Sequence, residues 1–111
     1  MLHVTARTGD RVTARLPQDV DLHTAPLLRA VGDRIIDEGC RHLTLDASRT
    51  LCLDSTGITL LITWYQRLDP LGGTLSLTQA NTAVYYLLHR LGLHTVMTIT
   101  PHTPAPGTLG L

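Results

Sequence analysis

Two runs at the start of the chain alternate apolar and polar residues: Leu2 to Ala6 and Arg11 to Leu16. A period of two marks strands with one buried face. Thr8-Gly9-Asp10 between them has turn chemistry, so the pair predicts a β-hairpin. Pro17 to His23 reads as a loop, and after it the period lengthens. Leu28, Val31 and Ile35, with Leu27 beside them, fall at helical spacing behind Thr24-Ala25-Pro26. Thr24 is the expected N-cap, and a proline just inside a helix loses no hydrogen bond. Arg34 and Glu38 are spaced for an i, i+4 pair, and Gly39 is placed to end the helix.

His42 to Asp46 predicts a third strand, with Leu43 and Leu45 inward, followed by a connector from Ala47 to Leu53. Asp54-Ser55-Thr56-Gly57 opens a second helix, in which Ile58, Leu61, Ile62, Tyr65 and Leu68 keep the 3.6-residue period. Leu60 and Trp64 widen its apolar arc, which makes it the most buried helix of the set. Pro70 and Gly72-Gly73 end it. Thr74 to Thr78 is the next strand. Asn81 is the expected N-cap of a third helix, with Val84, Leu87, Leu88 and Leu91 inward and Gly92 at its end. His94 to Ile99 is the last strand.

The order β-β-α-β-α-β-α-β implies βαβ units with right-handed crossovers. The predicted fold is α/β: a mixed, mostly parallel sheet, the hairpin supplying the antiparallel edge, with helices packed mainly on one face. One domain over residues 1–100 is expected. Residues 101–111 hold three prolines and two glycines and are expected to form a flexible tail.

Composition narrows the classes of function. The 111 residues are 43% hydrophobic and only 16% charged, with zero formal net charge. A broadly basic protein that tracks a phosphate backbone is excluded. All nine basic residues are Arg, so the Walker A lysine is missing and a P-loop is excluded too. The longest apolar-rich stretch, Ile58 to Leu71, contains Gln66, Arg67 and Asp69 and is too short and polar to span a bilayer. No signal-peptide pattern opens the chain, so a soluble, cytoplasmic protein is expected, without nucleic-acid or membrane partners. Cys40 and Cys52 read as two free, buried thiols rather than a disulfide. Cys40 and His42 lack further ligands at a metal-site spacing, so no metal or other cofactor is expected. Trp64, Tyr65, Tyr85 and Tyr86 sit at core-type spacing on helices, which reads as packing rather than a platform for bases.

In a parallel sheet the strand-to-helix loops emerge at one end, the carboxyl end of the strands. That places Asp21, Thr24, Ser55, Thr56 and Asn81 near one another. Asp54-Ser55-Thr56-Gly57 sets two hydroxyls and a carboxylate at a helix N-terminus, where unpaired N–H groups and the dipole favour negative charge. A phosphate on Ser55 would add about 1.5 to 2 negative charges beside Asp54, which suits a binding switch. The plainer reading is that Asp and Ser are there as cap residues. Catalysis by Ser55 is disfavoured, because Gly-X-Ser-X-Gly is absent.

Leu45-Asp46-Ala47-Ser48, then Leu53-Asp54-Ser55-Thr56-Gly57-Ile58, an apolar helix and Gly72-Gly73 resemble the STAS domain family, and within it the bacterial anti-sigma factor antagonists. Asp19 to Leu27 is similar to that family's first loop and helix start. The resemblance runs from about Val4 to Ile99, nearly the whole chain. It implies a protein that is not an enzyme. Unphosphorylated, it would bind an anti-sigma factor that is also a serine/threonine kinase; phosphorylation of Ser55 would break the complex and a phosphatase would reset it. Asp21 and Asp54 would flank the acceptor. Thr24, Thr56, Gly57, Ile58 and Asn81 complete the expected partner-binding set. Gln18 and Arg49 stand where the family often has Gly, and would reshape the partner surface. The alternative is a STAS scaffold subunit of a signalling or lipid-transport assembly, with no phosphoswitch. Weak self-association through the hairpin edge or the second helix is also expected from so lightly charged a surface.

Overall fold

A computed structural model describes residues 2–102, so most of the predicted tail lies outside the described residues. Strands β1 (His3–Thr8) and β2 (Arg11–Arg15) form the hairpin, and β2 continues in a parallel series with β4 (His42–Asp46), β6 (Thr74–Ala80) and β7 (Thr98–Pro101). The order across the sheet is β1-β2-β4-β6-β7. Every crossover therefore steps in the same direction, and a right-handed crossover then lays its helix on the same face each time. Helices α1 (Ala25–Asp37), α2 (Ser55–Leu68) and α3 (Thr82–Arg90) make up that layer.

The strand alternation reports this one-sided covering directly. Val12 and Ala14, Leu43 and Leu45, Leu75 and Leu77 point under the helices and are all buried. The residues between them face the other way. Thr13, Thr44, Ser76 and Thr98 pair in register across four strands and form a hydroxyl row on the uncovered face.

Helix α2 lies at the centre, and Trp64, expected only to widen its arc, is its anchor. The indole is fully buried, and it rests on Gly32 of α1 so closely that a Cβ there would overlap the ring. A small residue at the crossing is what allows the two helices to approach. The inner face of α1 is Leu28, Gly32, Ile35 and Ile36, whereas Leu27 is 59% exposed. The glycine hides the true stripe from an apolar count. Leu91, expected inward on α3, is likewise half exposed, because it lies past the last helical residue.

Other expectations change for local reasons. Glu38 pairs with Arg7 of the hairpin at 3.6 Å, and no Arg34–Glu38 pair forms. Gly39 does take the left-handed backbone, at φ 111°. Leu93–Thr95 is a 3-10 turn behind Gly92, so the last strand begins at Thr98 rather than at His94. Pro101 closes β7, and the His102 N–H donates to the Ala80 carbonyl at 2.8 Å. Both cysteines are free, but only Cys40 is buried; Cys52 is exposed. The reason is that Cys52 lies in a second, two-stranded sheet at the surface. There β3 (Asp19–Val20) pairs in parallel with β5 (Cys52–Leu53), within stretches that read as loops.

Candidate functional site

That small sheet builds the site. Asp19 pairs with Cys52 and Val20 with Leu53, and the Asp54 N–H donates to the Val20 carbonyl at 3.2 Å. The chain leaving β3 enters α1 and the chain leaving β5 enters α2, so the two helix starts lie side by side. Gly57, buried in the first turn of α2, permits the approach: a Cβ there would lie 2.5 Å from the Val20 carbonyl oxygen. A second brace holds the loop before β5. Thr50 is buried and its hydroxyl donates to the Pro17 carbonyl at 2.9 Å. Asn81 Nδ2 donates to the Thr50 carbonyl at 2.9 Å, while Asn81 Oδ1 accepts the Val84 N–H at 2.8 Å. Asn81 thus caps α3, as its position predicts, and also ties α3 to the central loop. No residue pattern announces Thr50 or this second bond, because both rest on contacts across about thirty residues of chain.

At the start of α1 the predicted cap is corrected. Thr24 makes no side-chain bond to the helix. Its hydroxyl turns back into the loop, donating to the Asp19 carbonyl at 2.9 Å and accepting the Asp21 N–H at 3.0 Å. Asp21 Oδ1 accepts the N–H groups of His23 and Thr24, at 2.9 and 3.1 Å. The Thr24 amide above all, with His23 beside it, holds the Asp21 carboxyl below the ordinary carboxylate range.

The start of α2 divides the same tasks differently. Asp54 is the N-cap, its Oδ1 accepting the Gly57 N–H at 3.0 Å. Ser55 is the first helical residue, exposed, with its hydroxyl in no hydrogen bond among the described residues. The carboxylate does the capping, so the hydroxyl beside it is left over. Thr56 and Ile58 are half-buried, Ile58 against the core. Between the two helix starts runs a shallow, mostly apolar groove of about 350 Å³, with Leu22 and Pro26 on one wall and Thr56 and Leu60 on the other. Leu22 is 66% exposed. Asp19, Asp21 and Asp54 share this end of the molecule with Arg29, which lines the groove.

No histidine bonds to Ser55. His89 and His94 stack on each other with ring centroids 4.2 Å apart, beside Thr74 and Thr98, which begin β6 and β7. They belong to the opposite end of the sheet. Among the described residues no group of three or more His, Cys, Asp or Glu could hold a metal ion, and no helix is long and apolar enough to cross a membrane.

Comparison with known proteins follows the same lines. The chain is 29% identical over 86 residues to an anti-sigma F factor antagonist of Paenibacillus polymyxa, covering 77% of this chain and 74% of the relative. Its fold is similar to the anti-sigma factor antagonist SpoIIAA in its unphosphorylated form (TM-score 0.78, 20% identity, 98% of this chain and 92% of the other). It is also similar to an anti-sigma factor antagonist from Mycobacterium paratuberculosis (TM-score 0.80, 22% identity, 91% and 85%). Residues 3–100 match the family described as Mlab, STAS domain, and the chain belongs to the STAS domain family.

Proposed function

We infer that the protein is an anti-sigma factor antagonist whose binding surface is the carboxyl end of the sheet, switched by phosphorylation of Ser55. The observation that carries this reading is the Ser55 hydroxyl, exposed and unbonded at a helix N-terminus that Asp54 already caps. The name of the Paenibacillus polymyxa relative supports the class. The partner is an anti-sigma factor with serine/threonine kinase activity, and a phosphatase completes the cycle.

The surface has the parts such a switch needs. Leu22, Pro26, Thr56 and Leu60 offer an apolar strip for a partner side chain. Arg29 is the charged residue that lines it, Asp21 and Asp54 stand at the two helix starts beside it, and Gly57, Ile58, Thr24 and Asn81 hold those starts in place. In the transfer step the Ser55 oxygen forms a bond to the γ-phosphorus of ATP, the bridging oxygen leaves with ADP, and the hydroxyl proton passes to a base on the kinase. The new group adds about 1.5 to 2 negative charges. The helix terminus tolerates that charge, with a dipole contribution of about 0.3 to 1 kcal/mol, so the domain stays folded. A partner that packs against the apolar strip meets a dianion beside Asp54 and Asp21 instead, and dissociates.

Incubation with the cognate kinase and ATP, followed by mass-spectrometric mapping, tests the switch. Phosphate on Ser55, retained partner binding by Ser55→Ala and lost binding by Ser55→Asp are the expected results. Tight binding by Ser55→Asp, with no phosphate on Ser55, would point to the scaffold subunit of a signalling or lipid-transport assembly instead. Labelling of Ser55 by a serine-directed covalent probe would overturn the non-enzymatic reading.

A further inference from the structure

A second concavity lies at the same end of the sheet, on its uncovered face. It is a cleft of about 620 Å³ whose lining includes His3, Arg15, Gln18, Ser48, Arg49 and Leu51. That volume suits a small molecule. Gln18 and Arg49, which stand where the family often has Gly, both belong to it, and it shares no lining residue with the apolar groove between the helix starts.

Its chemistry is cationic. His3 and Arg15 are register partners on β1 and β2, and Arg15 and Asp46 are register partners on β2 and β4. Asp46 only partly occupies Arg15. The closest approach is 3.7 Å, made by the buried Arg15 Nε, while the Arg15 side chain as a whole is 34% exposed. Burial works against the Asp46 charge, but the Ser48 amide and hydroxyl and the Arg15 charge outweigh it and hold the carboxyl below its ordinary range. Asp46 is therefore ionised and accounts for one positive charge. Arg49 is exposed and enters no ion pair among the described residues. One side of the cleft is apolar, with Leu51 61% exposed beside Pro17. Two guanidinium groups beside an exposed leucine form a site with a charged end and an apolar wall.

We propose that this cleft binds a small phosphate monoester carrying an apolar ring. The phosphate takes the paired N–H donors of Arg15 and Arg49, for which guanidinium geometry is suited, and the ring lies on Leu51 and Pro17. The Gln18 carbonyl accepts the N–H groups of Leu51 and Cys52 at 2.8 and 3.2 Å, so the bound ligand rests against the strand that leads to Ser55.

The test is a titration of the isotope-labelled full chain with phenyl phosphate, followed by backbone amide NMR. Saturable shifts at Gln18, Ser48, Arg49 and Leu51 are expected in the millimolar range or tighter. Arg49→Ala weakens binding about tenfold, and so does Arg15→Gln, as loss of a charge-assisted contact should. Arg49 lies in an exposed loop, so its variant carries the test if Arg15→Gln disturbs the sheet. Arg34→Ala, an exposed cation on α1, leaves the affinity unchanged. Inorganic phosphate binds at least about fivefold more weakly, because it leaves the leucine wall uncovered. The proposal is overturned by shifts that do not saturate, by inorganic phosphate binding as tightly as phenyl phosphate, or by Arg34→Ala weakening binding as much as Arg49→Ala. None of these results bears on phosphorylation of Ser55.

Discussion

The starts of α1 and α2 are built from the same materials and use them in opposite ways. Each joins an aspartate to a hydroxyl residue after a two-residue strand, and the two strands are paired. At α1 the hydroxyl of Thr24 is locked into the loop and Asp21 gathers the turn amides. At α2 the carboxylate of Asp54 takes the helix amide and Ser55 is released to solvent. The difference lies in which position the hydroxyl residue occupies. Thr24 precedes its helix and its side chain can reach back to Asp19, whereas Ser55 lies inside the helix, where the backbone turns it outward. A hydroxyl at a helix terminus is structural or available according to whether it stands before the helix, within reach of the loop, or inside the helix.

The sharpest way to break the comparison is to separate the two starts. Gly57→Val sets a branched side chain against the Val20 carbonyl, which is backbone and cannot step aside. A loss of about 3 kcal/mol is expected in chemical denaturation, the upper range for overpacking. Asn81→Ala removes a cap and the bond to Thr50 together, for a loss of about 2 kcal/mol by the same measurement. Asp54→Ala tests whether the carboxylate is what frees Ser55. A loss of about 1 kcal/mol is expected, with the Ser55 hydroxyl then drawn toward the uncapped amides and its amide proton signal shifted. Ser55→Ala, by contrast, changes stability by less than about 0.5 kcal/mol, because its hydroxyl supports nothing in the fold. The smallest effect concerns pH. Asp21 binds its proton less readily when folded, so its contribution is present above the unfolded carboxylate value of 3.8 and is lost as pH falls through the lower folded value. Acid titration of Asp21→Asn against the parent chain should show that this loss has gone.

Much of this was legible in the chain. The period-two runs and the helical stripes gave the main sheet and all three helices, because a buried face imposes its period on many residues at once. The Asp54 to Gly57 tetrad marked the start of α2 and the candidate site there for the same kind of reason: a helix terminus has few ways to satisfy its amides. What escaped was short or nonlocal. Strands β3 and β5 have two residues each, too few to carry a period. Gly32 broke the apolar stripe of α1, although it is the residue on which Trp64 rests. The Thr24 hydroxyl reads as a helix cap because spacing cannot tell a bond forward into a helix from one backward into a loop. Cys52 looked buried between two leucines, but a surface strand exposes one side of such a run and both its edges.

The capping of α2 by Asp54 has a consequence for how this domain can change over generations. Since residue 55 bears no folding load, a single codon change can install or delete a modifiable group there without the compensating substitutions that a structural position demands. Under the proposed switch, gain or loss of regulation is one mutational step away, with the scaffold untouched. Residue 24, at the sister terminus, has no such latitude, because its hydroxyl is already committed to the loop.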